Sequence, residues 1–218
     1  MTPDEARDIL SPERFSTYET WAAAHGRDAL NIYEWNIRLS SALYPSLQNL
    51  EVTLRNQIHR VISRTNGANW ILNRPNYLTH SQLLKIEEVR NQLPMERKDQ
   101  SPGQVIAGLS FGFWTPFFSS SAEGLWRTHL RNIVARPAPA GINRKSFSAP
   151  LDRIRPLRNR IAHHEPILHL PLSDLHSEIV GLTTLLHPAS EAWRQRVCTF
   201  ADTHQQFLAE CPNEFDKN

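Results

Sequence analysis

Apolar residues recur every three to four positions over long stretches of this chain, and runs that alternate every second residue are few. That spacing places side chains along one face of a helix. The clearest case is Leu43, Leu47, Leu50, Leu54, Ile58 and Val61, at steps of four, three, four, four and three; it predicts a buried stripe. The helical pattern begins near Asp28, and Pro45 is expected to divide it into two helices or to kink it. Ahead of it, Thr2-Pro3-Asp4-Glu5 and Ser11-Pro12-Glu13-Arg14 each read as a helix start, with a hydroxyl cap and a proline in the first turn. These predict two short helices up to about Ala24, closed by Gly26.

Further along, residues 64–79 read as a loop, with Trp70 and Tyr77 as its anchors to the core. A helix is predicted from Thr79 to Leu93, ended by Pro94, and another starts at Ser101-Pro102. The cluster Phe111, Phe113, Trp114, Phe117 and Phe118 suits core packing or a dimer contact. Glu123–Val134 reads as one helix, and residues 136–141 as a loop. A helix from about Ser146 to His164 carries Pro150 and Pro156. Leu175, Ile179, Leu182 and Leu186 mark a buried helix, and Trp193, Val197 and Phe200 continue the pattern after Pro188. The residues from Pro212 onward are polar and expected to fray. The expectation is an all-α chain forming a single domain over residues 1–218.

Composition narrows the function classes. Eight glycines in 218 residues argue against a turn-rich β protein. Cys198 and Cys211 form no C-x-x-C pair and suggest no disulfide framework, which fits a reducing cytoplasm. The polar, acidic N-terminus does not read as a signal peptide, and no apolar run approaches membrane-spanning length. Net charge is only +2, yet it is unevenly spread. From Arg127 to His164 there are eight arginines and Lys145 against Asp152 alone, a local balance of +8 that leaves −6 for the remainder. A basic segment of this kind suits a phosphate backbone, with Lys145, Arg153, Arg155 and Arg160 as candidate RNA contacts. A solvated face is the plainer alternative.

That segment ends in Leu157-Arg158-Asn159-Arg160-Ile161-Ala162-His163-His164-Glu165-Pro166-Ile167. On a helix Asn159 stacks under His163 and Arg160 under His164, whereas Arg158 and His163 diverge by roughly 140°. Pro166 disfavours helix at Glu165, so the helix should end near His164, where its terminal carbonyls favour a protonated imidazole. The chemistry these groups suit is cleavage of an RNA phosphodiester. Histidine exchanges protons near neutral pH, and arginine braces the charge that builds on the phosphorus. No metal ion or other cofactor is required. A dipole-compensated helix end is the bland reading of the same residues. On the Leu43–Val61 helix, Glu51, Arg55 and His59 stack at steps of four, as surface ion pairs or as groups that line or brace a cleft, with Asn56 as a second brace.

Three other motifs compete. Gly103–Ser110 imitates a phosphate-binding loop but has Leu109 where the lysine belongs. Gly108-Leu109-Ser110-Phe111-Gly112 fits a serine-hydrolase nucleophile elbow, which needs a strand before it and a parallel sheet around it. His163, His164, His169 and His176 offer nitrogen ligands for zinc, although His164-Glu165-Pro166-Ile167-Leu168 departs from H-E-x-x-H.

Arg158-Asn159-x-x-x-His163 resembles the R-x(4–6)-H motif of the HEPN superfamily. The eleven-residue stretch around it is similar to the Abi-like (abortive infection) branch, as are residues 50–59 and 109–114. The likeness spans about residues 28–187. It implies a HEPN-like helical bundle with additional N-terminal and C-terminal helices. It also implies a metal-independent ribonuclease leaving a 2′,3′-cyclic phosphate, and a homodimer whose single cleft takes two motif copies. Arg158 and His163 would then be catalytic, with Asn159, His164, Glu165, Glu51, Arg55 and Asn56 in support. The alternative within the same likeness is a non-catalytic module that binds RNA or an antitoxin or other regulatory protein.

Overall fold

The computed structural model describes residues 1–211; the expected fraying from Pro212 lies outside the described residues. Among the described residues there are eleven α-helices and no strand, so the all-α expectation holds. None of these helices is long and apolar enough to cross a membrane.

Two short helices open the chain, α1 (Pro3–Leu10) and α2 (Pro12–His25). Thr2 and Glu5 form a reciprocal capping box on α1. Ser11 both ends α1 and caps α2, and Gly26 closes α2 in the left-handed conformation (φ 63°). Next comes α3 (Ala29–Asn66), a single helix of 38 residues capped by Asp28, about 57 Å long at 1.5 Å per residue. Pro45 does not divide it. The carbonyl that the proline ring leaves without a donor is that of Ser41, an exposed residue. Water can satisfy it there, so the helix continues.

Around α3 pack α1, α2, α6 (Phe111–Trp114), α9 (Leu172–Leu186), α10 (Ala189–Gln195) and α11 (Phe200–Glu210). All six members of the Leu43–Val61 stripe are buried, as are the four of α9. Trp70 is buried and Tyr77 half-buried, so both tie the 67–79 loop to the core. A second capping box, Thr79 with Gln82, starts α4 (His80–Met95), which tolerates Pro94 in its last turn. The helix α5 (Pro102–Gly108) crosses α4 so closely that a Cβ on Gly108 would lie 2.6 Å from Val89 Cγ1. That glycine permits helix packing. With no strand among the described residues, the nucleophile-elbow and phosphate-loop readings of this region lack their scaffold. Phe111, Phe113, Trp114, Phe117 and Phe118 are all buried, joined by Trp126 and Phe147.

Two predicted helices differ. Glu123–Val134 is α7 (Glu123–Thr128) followed by a 3-10 turn. At His129 the backbone leaves helical geometry (φ −126°), where the imidazole Nδ1 meets Thr65 Oγ1 at 2.8 Å. After Pro188, α10 ends at Gln195 and the periodicity is reset. Trp193 and Val197 are therefore exposed (47% and 44%), and only Phe200 is buried.

A polar cluster sits under α3. His176 Nε2 lies 3.1 Å from the buried Ser46 Oγ, which donates to Cys198 Sγ at 3.2 Å, and the imidazole packs on Phe200. Burial, then Arg194, push its pKa from 6.5 to about 4, opposed by Glu191; His204 lowers it further. The unfolded chain takes up this proton near pH 6.5 and the folded chain only near pH 4. Stability is therefore complete above about pH 6.5 and falls as the pH drops towards 4. His59, His129 and His169 are lowered mainly by burial and slope the same way. His176→Gln should make that fall shallower in urea midpoints taken from pH 7 to pH 4. An unchanged slope would show that the imidazole does not stay neutral in the fold.

Candidate functional site

The motif helix is α8 (Lys145–Ala162). Phe147, Leu151, Ile154 and Leu157 recur at steps of four, three and three and are buried, facing α9 and the turn at Thr115–Phe118. Arg158, one position on, is rotated by about 100° from Leu157 and reaches α3. Its Nε and Nη2 both donate to Glu51 Oε2 at 3.3 Å. Arginine and glutamate side chains are 31% and 18% exposed, so this pair is sheltered from water more than a surface ion pair.

Beyond Ala162 the helix ends in a Schellman turn. His164 N–H donates to Ile161 O and Glu165 N–H to Arg160 O, at 3.2 and 2.8 Å. His164 takes the left-handed position (φ 58°) where glycine is usual. Side chains from three helices then hold the next carbonyls. Arg14 Nη1, from α2, donates to His163 O and His164 O at 3.3 and 2.6 Å. Asn36 Nδ2, from α3, donates to Glu165 O at 3.4 Å, and Asn36 Oδ1 accepts from Ile167 N–H at 2.7 Å. Arg160 Nη1 donates to Pro166 O at 3.2 Å. Arg14 and Asn36 carry no signal in the sequence, because they act through the backbone of a segment more than a hundred residues away.

A cleft of about 880 Å³ opens between α3 and the end of α8, and Glu51, Arg55, Arg158 and His164 all line it. Arg55 Nη1 donates to Ala107 O at 3.0 Å, while its Nε is buried without a partner. That donor is closed off from the cleft, so it is the rest of the guanidinium that can face a ligand. The other candidates lie elsewhere. Asn159 and His163 are exposed and do not line the cleft. Asn56 is exposed and does not line the cleft. His59 accepts a hydrogen bond from Trp70 Nε1 at 2.9 Å and serves the core. Glu165 pairs with Arg160 at 3.5 Å.

The basic segment is less charged than its sequence suggests. Arg127 and Arg144 share Glu123, Arg153 chelates Glu178, Arg158 meets Glu51 and Arg160 meets Glu165. Arg155 and Lys145 are exposed on α8 without an ion pair among the described residues. The zinc alternative does not assemble. His176 is engaged with Ser46 and Cys198, His169 lies against Trp21, and among the described residues no three His, Cys, Asp or Glu could hold a metal.

Asn36 is the buried member of the clamp. Asn36→Ala should strand Glu165 O and Ile167 N–H, lowering stability by about 1–3 kcal/mol in urea unfolding. The exposed Asn159→Ala should leave stability unchanged. Equal effects of the two would contradict the clamp.

No curated protein matches this chain, and no solved structure does. A family model described as Abi-like protein matches residues 9–169. That match takes in Arg14, the whole of α3 and α8, and the clamped turn, and ends just beyond it. The chain belongs to the Abi-like protein family.

Proposed function

We propose that this protein is a metal-independent endoribonuclease of the HEPN type, acting in abortive-infection defence. The observation that carries the reading is the convergence of Arg158, Glu51, Arg55 and His164 on one cleft. Membership in the Abi-like family supports the biological setting. Glu51 holds the Nε–Nη2 edge of Arg158 and leaves Nη1 for a phosphate oxygen. The His164 imidazole takes the 2′-hydroxyl proton. The 2′-oxygen then attacks phosphorus while Arg158, helped by Arg55, stabilises the extra negative charge. The bond from phosphorus to the 5′-oxygen breaks and that oxygen is protonated, leaving a 2′,3′-cyclic phosphate and a 5′-hydroxyl. His163 lies outside its own cleft, so its place is in the cleft of a second copy, where it protonates the leaving oxygen. Asn159 orients the phosphate or His163 across that seam. Arg155 and Lys145 track the RNA backbone, since Arg153 and Arg160 are engaged by carboxylates.

A second reading is favoured by the neutralisation of Arg158 by Glu51. It is a non-catalytic module of the same type that binds RNA or an antitoxin. Its sign would be RNA binding that weakens with salt and no turnover.

Cleavage of total RNA in excess EDTA separates the two. The wild type should cut, and Arg158→Ala should lose about 10²–10³-fold. His164→Gly is the sharper variant, because glycine suits the left-handed turn. It should keep the fold and lose activity by about 10²–10⁴-fold. Mixing Arg158→Ala chains with His163→Ala chains should restore part of the activity if the cleft is shared between copies. Activity that disappears on chelation, or survives in Arg158→Ala, sinks the mechanism.

A further inference from the structure

We propose that the end of the cleft around Tyr44 is a stacking subsite for one unpaired nucleobase of the RNA strand whose phosphate sits at Arg158. The proposal rests on the ribonuclease reading and names the form of RNA that the site takes. Along α3 the cleft is lined by Tyr33, Ile37, Tyr44, Glu51 and Arg55, among others. These positions are separated by four, seven, seven and four residues and so share one face. Two of the large apolar side chains that stand exposed belong to this cleft. Tyr44 (59%) and Ile37 (48%) line the same cleft, two turns apart on one helix. With the half-buried Tyr33 they form an apolar ledge at one end. Arg158 and Arg55 form the polar end, whereas His164 stands by the ledge, in the turn that Asn36 holds.

Tyr44 and Glu51, the carboxylate that holds Arg158, lie seven residues apart, about 10 Å along the helix. One nucleotide spans such a separation from its phosphate to its ring. An aromatic face beside guanidinium groups is the combination that binds single-stranded nucleic acid, with bases on the rings and phosphates on the cations. Base-paired RNA keeps its rings inside the helix and presents only edges in a shallow minor groove, so it cannot use the ledge. Ser40 and Ser41 before Tyr44, and Gln48 between Tyr44 and Glu51, place hydroxyl and amide groups in the cleft, where a base edge can meet them. An α3 face this open could instead be covered by a second copy of the chain. The charged end argues for a phosphate-bearing occupant.

The test uses the full chain and a short fluorescent 2′-O-methyl oligoadenylate, which binds but has no 2′-hydroxyl to attack. Its affinity is read by anisotropy alone and annealed to its complement. Tyr44→Ala should weaken single-strand binding about 10-fold, the loss of one stacked base. Tyr44→Phe and Tyr44→Trp should retain it, because stacking needs the ring and not the hydroxyl. Duplex binding should not respond to any of the three. Single-strand binding by the wild type that Tyr44→Ala leaves unchanged overturns the subsite and spares the ribonuclease reading. So does a Tyr44→Ala chain that turns from dimer to monomer in sedimentation with its binding unchanged. Absence of both binding and cleavage in the wild type overturns the two together.

Discussion

An α-helix leaves its last carbonyls without partners of its own. At the end of α8 that obligation falls on the turn that carries both motif histidines. Its N–H groups meet it for Asn159, Arg160 and Ile161, but the carbonyls of the turn itself, from His163 to Pro166, then need donors. Arg14, Asn36 and Arg160 supply the missing donors to four successive carbonyls. A backbone held at four points has little freedom, so the left-handed geometry of His164 is imposed by α2 and α3 as much as by α8. The N-terminal helix α2 is therefore part of the site, although none of its residues lines the cleft.

The same arrangement controls charge. Nine cations between Arg127 and His164 would repel one another if they shared a face. The fold pairs five of them with Glu51, Glu123, Glu165 and Glu178, the first two and the last from outside the motif. What remains for an anion is local. It consists of the unclaimed edge of Arg158 and the exposed side chains of Arg131, Arg136, Lys145 and Arg155. Glu51 lowers the positive potential of the cleft and in return fixes a guanidinium that would otherwise sample many rotamers. Orientation is bought there at the expense of raw attraction.

Most of the helices were legible in the sequence because periodicity and caps are local. The Leu43–Val61 stripe, the two capping boxes and the stop at Gly26 each depend on residues within one or two turns. Pro45 misled for the opposite reason, since whether a proline breaks a helix depends on what surrounds the carbonyl it orphans. His129 and the exposed Trp193 also turned on tertiary detail. In the site, the ladder Glu51 and Arg55 on α3 was legible as a candidate lining, and Arg158 as a candidate catalytic group. Which histidine faces the cleft was not. The helical wheel placed His163 and His164 about 100° apart, but a Schellman turn with histidine at the glycine position re-aims the second of them. Nothing within the motif marks that turn in advance except Pro166.

The long helix α3 explains why these features depend on one another. Its core stripe and its cleft face are separated by about 80° around one axis. The first is fixed by Leu43, Leu50, Leu54 and Ile58 against the neighbouring helices, and the second carries Tyr44, Glu51 and Arg55. A helix packed in this way cannot rotate one face without disturbing the other. The Arg158–Glu51 distance is thus set by apolar packing on the adjacent face of α3, which is built from Leu and Ile side chains. Asn36 closes the loop, since the buried amide that holds the histidine turn sits on the same helix as the carboxylate that holds the arginine. One rigid rod therefore places the cation, the imidazole and the aromatic ledge relative to one another, which a site on independent loops could not do.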